Sequence, residues 1–303
     1  MKAIVLSEYG GPNQLVFREH PTPEPGAGQI KVRVASASIN PVDWKLRSGA
    51  LKAVMPLELP AVLGRDAAGK VVKVGPSVTQ FEVGDSVLGL VNGAYAEFVV
   101  APTDAWAKLP AGLEELGAGA LPLVLLTGDQ LAAAALGNAP AAGQTVLVTG
   151  AVGGVGRTAA WVAKQRGAKV LAGVRGTQIA QAEELGLDGV VALDDDAALQ
   201  QLAPVDCIAD TVGGQTIARL FSKLKTGGTI GSVVGEPAGA KEHGFTVNAF
   251  FAHPDSARLA ELAEAVAAGK LRIPIGRRFP LAEAAAAQVL AEQGGIGKVL
   301  LVI

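Results

Sequence analysis

Residues 145–175 read TVLVTGAVGGVGRTAAWVAKQRGAKVLAGVR. An apolar run, Val146-Leu147-Val148, leads into a glycine-rich turn that ends at Gly156, then a helical stretch, then a second apolar run from Val170 to Val174. Strand, glycine loop, helix and strand in this order form a βαβ unit that holds the pyrophosphate of a dinucleotide. Glycine lets the chain turn tightly and brings backbone N–H groups close to phosphate oxygens. The helix that follows adds the positive end of its dipole. The residues expected to line this cradle are Gly150, Ala151, Gly153, Gly154, Val155 and Gly156. The spacing Gly150-x-x-Gly153-x-x-Gly156 is intact, while Ala151 departs from plain GxGxxG.

The unit ends on Arg175, 19 residues after the last motif glycine. NAD-preferring proteins place a carboxylate at about this offset to hold the ribose 2′-OH. A carboxylate would repel a 2′-phosphate, whereas a guanidinium pairs with it through a charge-assisted fork. The expected cofactor is therefore NADP(H), with Thr177 and Lys169 as weaker neighbouring candidates. An exposed surface arginine without a ligand would look the same in sequence.

The chain has 303 residues, enough for two ordinary domains. Half of the residues are hydrophobic and the mean hydropathy is +0.36, yet no stretch reaches the ~20 apolar residues of a membrane span. The opening MKAIVLSEYGG reads as a first strand rather than a signal peptide. A formal net charge of −2 with no long basic run argues against nucleic acid as a partner. Cys207 is the single cysteine, so no intrachain disulfide forms and a reduced, cytoplasmic setting is expected. Its apolar flanks, Val205 to Ala209, place it in a core strand.

The first ~120 residues are broken into short strands by Gly/Pro turns, as in a partly open β-barrel-like domain. Gln29–Ile39 alternates polar and apolar residues, the pattern of a half-buried strand. From about Leu121 strands and helices alternate, which predicts a parallel sheet covered on both faces. Pro254 and Gly269 bracket a helix over 255–268. An alanine-rich helix over 281–293 and a closing strand over 298–303 follow.

Several local patterns then line up. They are Asn40-Pro-Val-Asp43-Trp-Lys-Leu-Arg47-Ser-Gly49, Gly64-Arg-Asp66-Ala-Ala-Gly69, Gly75-x-x-Val-x-x-Phe81-x-x-Gly84-Asp85, the glycine loop, Asp210-Thr-Val-Gly-Gly214 and Gly297-Lys298-Val. Together they resemble the medium-chain dehydrogenase/reductase superfamily, and within it the zinc-free, NADPH-dependent quinone oxidoreductases. The resemblance implies an α/β fold class: a Rossmann doubly wound parallel sheet plus a GroES-like, β-barrel-type catalytic domain. Residues 1–121 and 266–303 would form the catalytic domain and 122–265 the NADP-binding domain. Zinc-dependent relatives hold a catalytic metal with Cys, His and Cys; those positions correspond here to Asn40, Arg65 and Leu123, so no metal site is expected.

Without a metal to polarise a carbonyl, the implied reaction is hydride transfer to an acceptor activated by its own electronics, a quinone or an α,β-unsaturated carbonyl. A donor near the acceptor oxygen would stabilise the developing charge. The candidate catalytic residues are Asn40, Lys45 and Arg47; Arg47 would otherwise pair with Asp43 or Asp66. Lys45 stands where many quinone reductases have Tyr. Thr127 matches a family position beside the nicotinamide, Asp210 ends a strand near the adenosine, and Lys298 reaches toward a cofactor phosphate. Trp44, Phe245 and Phe250 would line an acceptor pocket or fill a core. Family analogy adds a homodimer. Enoyl-thioester reduction and non-catalytic NADPH binding, in a structural, sensory or RNA-binding role, are the alternative functions.

Overall fold

A computed structural model describes Met1–Ile303, and the chain divides into two units, Met1–Leu123 with Pro254–Ile303 and Val124–His253. The first unit begins with β1 (Lys2–Leu6), β2 (Leu15–Glu19) and the long β3 (Gln29–Ile39). Helix α1 (Pro41–Ser48) follows directly, and its ends are written in its sequence. Pro41 opens it, where a missing N–H costs nothing. The Asp43 carboxylate accepts the Asn40 N–H at 2.8 Å, and Gly49, at φ 81°, ends the helix in the left-handed conformation.

The chain continues through β4 (Ala61–Val62), β5 (Asp66–Val74), β6 (Ser86–Leu90), β7 (Phe98–Pro102), β8 (Trp106–Lys108) and the short α2 (Glu115–Ala118). Helix α3 (Pro122–Leu136) carries it into the second unit. There β9 (Thr145–Thr149), α4 (Gly154–Gln165), β10 (Lys169–Val174), α5 (Ile179–Glu183), β11 (Gly189–Ala192), α6 (Asp196–Gln201), β12 (Val205–Asp210), α7 (Gly214–Arg219), β13 (Leu224–Ser232) and β14 (Thr246–Ala249) alternate. The chain returns to the first unit with α8 (Ser256–Ala267), β15 (Ile275–Pro280), α9 (Ala284–Gln293) and β16 (Lys298–Val302).

The second unit is a six-stranded parallel sheet in the order β11-β10-β9-β12-β13-β14. Strand order reverses between β9 and β12, so the crevice of a doubly wound sheet opens at their carboxyl ends. Its strands bury both faces. Val146 and Val148 of β9 join one apolar cluster with Ala159, Ala160 and Ala163 of α4, while Leu147 joins another with Leu199, Ile217 and Leu220. The period of two along a strand divides these residues between the faces. Cys207 is buried in β12 with its thiol 3.5 Å from Gln144 Oε1, and burial pushes its pKa up to about 11. Phe245 packs against Phe221 and His243 in the core, and Phe250 packs beside the α4 cluster.

The first unit holds a larger sheet ordered β15-β16-β3-β5-β6-β8, with β7 also on β3, and a three-stranded sheet β2-β1-β4. Here β3 is the organiser. It pairs antiparallel with β5, Ser38 opposite Asp66, and with β16, Ile39 opposite Val299. These registers bring the start of α1, the start of β5 and the start of β16 to one corner. The unit's boundary differs from the expected 266: α8 packs on β8 and buries Leu259, Leu262 and Ala263 within the first unit. Pro254 marks that crossing as well as a helix start, and the sequence signals only the second.

Candidate functional site

The second unit's candidate site is the turn after β9. Gly150 adopts φ 63°, and a Cβ there would meet Thr211 Oγ1 at 2.4 Å. A Cβ on Gly156 would lie 2.2 Å from the Gly150 carbonyl oxygen. The loop therefore folds back on the first turn of α4 at a distance only glycine permits. Gly153 caps α4, and Gly154, Val155 and Gly156 form its first turn, whose N–H groups lack acceptors further back in the helix. Ala151 is fully buried in the core, its N–H 3.3 Å from the Gly173 carbonyl, which accounts for a small apolar residue at that motif position. Arg157 ties the loop down: its Nε donates to the Val152 carbonyl at 2.8 Å.

Thr149, which no motif singles out, and Thr211, within the Asp210–Gly214 motif, pin the crevice. Thr149 Oγ1 donates to Asp210 Oδ1 at 2.8 Å, and Thr211 Oγ1 donates to the Thr149 carbonyl at 2.7 Å. Asp210 Oδ1 also accepts the Val212 and Gly213 N–H groups, at 3.1 and 3.0 Å. This carboxylate, expected beside the adenosine, is fully buried and organises the strand ends themselves. Thr127, on α3, is buried and its hydroxyl has no partner in the protein. Such an orphan group marks a place where a ligand or water completes the hydrogen bonding. Arg175 directly follows β10, is exposed, and has no partner for its guanidinium; Thr177 is exposed in the same turn.

The first unit's candidate site is the corner where α1, β5 and β16 begin. Asp66 is its hub. Its Oδ2 accepts hydrogen bonds from Ser38 Oγ and from Asn40 Nδ2, the latter at 2.8 Å, and its Oδ1 accepts the Leu123 N–H at 2.6 Å. The positions of Asn40 and Leu123 thus converge on one carboxylate, and Arg65 precedes it in the chain with a buried Nε that has no acceptor. The Asn40 amide, expected as a free donor, is committed at both ends: its Oδ1 accepts from Lys298 Nζ. Lys298, expected at a phosphate, is itself buried, with Nζ 3.2 Å from the Ile39 carbonyl and 3.6 Å from Asp66 Oδ2. Burial lowers its pKa, while Asp66 and Asp43 oppose that shift.

Arg47 pairs with neither Asp43 nor Asp66. Its guanidinium reaches α9, with Nη2 3.0 Å from Glu292 Oε1 and Nη1 donating to Gln288 Oε1, and its Nε donates to the Gly10 carbonyl at 3.2 Å. It is a structural clamp, since every face of its fork is engaged. Lys45, two residues earlier on α1, is half-buried and its ammonium has no protein partner. Trp44 packs its ring against the unit's core.

Asp43 is fully buried. Its Oδ2 accepts from the Asn40 N–H at 2.8 Å and from the Tyr95 hydroxyl at 2.9 Å, while Oδ1 has no partner. Burial pushes its carboxyl up to about 6, and Asp66 adds to the shift against the Asn40, Tyr95 and Lys298 contributions. Burial and Asp43 raise the Tyr95 phenol well above its ordinary value, so it stays a donor.

Each unit's sequence matches a known family. Residues 26–111 match the alcohol dehydrogenase GroES-like domain family, and residues 185–301 match the zinc-binding dehydrogenase family. The quinone oxidoreductase of Lama guanicoe is 31% identical over 329 residues, covering 100% of this chain and 98% of that protein. A chloroplastic quinone-oxidoreductase homolog of Spinacia oleracea is 32% identical over 200 residues, covering 63% of this chain and 60% of the spinach protein. The structure of the quinone oxidoreductase from Coxiella burnetii superposes with a TM-score of 0.89 at 32% identity, over 100% of this chain and 99% of that one. A mycobacterial protein solved in complex with NADPH superposes with a TM-score of 0.85 at 29% identity, over the whole of both chains. The chain belongs to the medium-chain dehydrogenase/reductase superfamily, in its quinone oxidoreductase family.

Two outcomes test this geometry. Gly156→Ala should open the loop, lowering the Tm and weakening dinucleotide binding at least tenfold, because the contact it creates is with backbone. Gly153→Ala, whose Cβ would lie 3.3 Å from the same carbonyl, should cost far less. Equal effects in a binding titration would contradict the stated cause. Asp43 binds its proton more tightly folded than free, so stability falls as pH rises through its folded value of about 6. Against Asp43→Asn, the wild type should lose on the order of 3 kcal/mol between about pH 4 and pH 7. Urea unfolding at several pH values measures this difference, and a flat one rules it out.

Proposed function

We propose that this chain transfers hydride from NADPH to a quinone or an α,β-unsaturated carbonyl, without a metal. The observation that carries the cofactor half is the glycine cradle ending in Arg175, an exposed cation with no protein partner at the end of β10. The bound dinucleotide would supply the hydride. Gly150, Ala151, Gly153, Gly154, Val155 and Gly156 shape the cradle, the first-turn N–H groups of α4 face its phosphates, and Thr127 offers its orphan hydroxyl to the nicotinamide end. Arg175, with Thr177 beside it, selects the 2′-phosphate.

The metal-free reading rests on the donor set. The three positions around Asp66 supply an amide whose oxygen is held by an ammonium, a guanidinium and a leucine. None of these is a zinc ligand, and a resident lysine cation repels another cation. With no Lewis acid there, the acceptor oxygen must be stabilised by a donor of the chain. Lys45 is assigned that role, because Asn40 and Arg47 are engaged internally and its own ammonium is not.

The structure has no helix long and apolar enough to cross a membrane. A cytoplasmic setting is part of the proposal and rests on the single buried thiol, Cys207. So is a homodimer: β14 is the last strand of the parallel sheet, its outer edge is unpaired, and Phe251 just beyond it is 55% exposed. Light scattering that returns the mass of one chain at micromolar concentration would exclude it.

An acceptor screen with NADPH decides the activity. Oxidation of NADPH by 1,4-benzoquinone or 9,10-phenanthrenequinone is expected, and tight binding without oxidation across a broad panel would instead indicate a non-catalytic NADPH-binding protein. Arg175→Ala should weaken NADPH binding by about tenfold and leave NADH nearly unchanged, consistent with loss of about 1.4 kcal/mol from one charge-assisted contact. Equal loss of both cofactors would refute the 2′-phosphate assignment.

A further inference from the structure

Lys298 stands at the first position of β16, and the antiparallel register with β3 sets Val299 opposite Ile39. The next step along the ladder brings Lys298 to Asn40, the residue before α1. Its ammonium is held there by the Ile39 carbonyl, the Asn40 amide oxygen and the Asp66 carboxylate, with the side chain only 9% exposed. Two carboxylates, Asp43 and Asp66, are fully buried in this corner, and the one ion pair made by either is that between Asp66 and Lys298. The other cations nearby in sequence do not serve: Arg47 is spent on Glu292 and Gln288, and Arg65 makes no bond to either acid.

We propose that Lys298 is a positioning residue whose buried ammonium, bridging Asn40 and Asp66, fixes the Asn40–Lys45 segment in the arrangement that presents Lys45 to the acceptor. The inference rests on the reductase reading of this chain. The linkage is short. Lys298 orients the Asn40 side chain, Asn40 Nδ2 binds Asp66, and the Asn40 N–H binds Asp43 in the first turn of α1. Lys45 follows two residues later on the same helix. To reach a cofactor phosphate instead, the ammonium would have to leave Asp66 buried without its counter-ion. The groups facing Lys298 are Asp66 and Asn40, with Asp43 and Tyr95 behind them, so removal of its charge leaves two buried acids sharing one corner. Without the cation, Asp43 loses a contribution that lowers its carboxyl while the Asp66 contribution that raises it remains, so ionising Asp43 as pH rises disturbs the corner more than in the wild type.

The test is Lys298→Met in the full-length protein, with Lys298→Met/Asp66→Asn as its partner variant. NADPH affinity of Lys298→Met should stay within about twofold of wild type, since the residue does not touch the cofactor. Its kcat with a quinone should fall about tenfold or more at saturating NADPH, and both kcat/KM and Tm should decline more steeply with rising pH than in the wild type, because Asp43 loses the cation that opposes its shift. Adding Asp66→Asn removes the acid that raises Asp43 and should bring that pH slope back to the wild type's. A tenfold loss of NADPH affinity with kcat intact would overturn the proposal, as would a variant with wild-type kcat and pH profile. If Lys298→Met does not fold, recovery of folding by Asp66→Asn supports the charge role and its failure refutes it. If the wild type reduces no acceptor, the reductase reading fails by itself, and NADPH affinity with the pH slope of Tm still judges Lys298.

Discussion

A buried carboxylate must be given donors, and in this protein that constraint organises both candidate sites. Asp210 and Asp66 are fully buried, and each gathers strand ends that the sheet alone would leave loose. Asp210 binds the hydroxyl at the end of β9 and two N–H groups of the turn into α7, which fixes the edges of the crevice. Asp66 collects Ser38 from β3, Asn40 from the start of α1, the N–H of Leu123 and the ammonium of Lys298. Removing one partner of such a buried pair typically costs about 3–5 kcal/mol, because the charge left behind has no water to turn to. Each corner is therefore held rigidly, which suits residues that must be kept at fixed positions.

The second unit was largely legible from sequence because its information is local. Gly150, Gly153 and Gly156 are spaced by the turn they build, and the strand–helix alternation follows from periodicity over ten to fifteen residues. Edge strand β14 escaped notice: Thr246-Val-Asn-Ala249 is short and mostly exposed, so it lacks an apolar run. Helix α1 was also hidden, since Asn40-Pro41 reads equally as a turn, and only the Asp43 bond to the Asn40 N–H shows which alternative the chain takes.

The first unit's polar corner was legible in its parts and not in its wiring. Asn40, Arg47, Asp66 and Lys298 all stood in recognisable motifs, yet their partners are set by register between strands far apart in sequence. Arg47 reaches Gln288 and Glu292 across more than two hundred residues, and Tyr95 meets Asp43 across fifty-two. No local pattern encodes such distances. An arginine four residues from an aspartate invites pairing by proximity, but on α1 the Arg47 side chain is directed to α9, where a carboxylate and an amide match its fork.

Charge accounting explains why the corner carries an ammonium. A metal ion would need lone pairs aimed inward from several ligands, whereas Asn40 and Leu123 point donors, N–H groups, at Asp66. A corner built of donors around a carboxylate is closed by a cation that is itself a donor, and a lysine arriving on β16 supplies both. The cost is that Asp43 is left with one unpaired oxygen and a carboxyl that titrates near 6. That carboxylate lies in the first turn of α1, the helix that carries Lys45, whose ammonium has no partner in the protein.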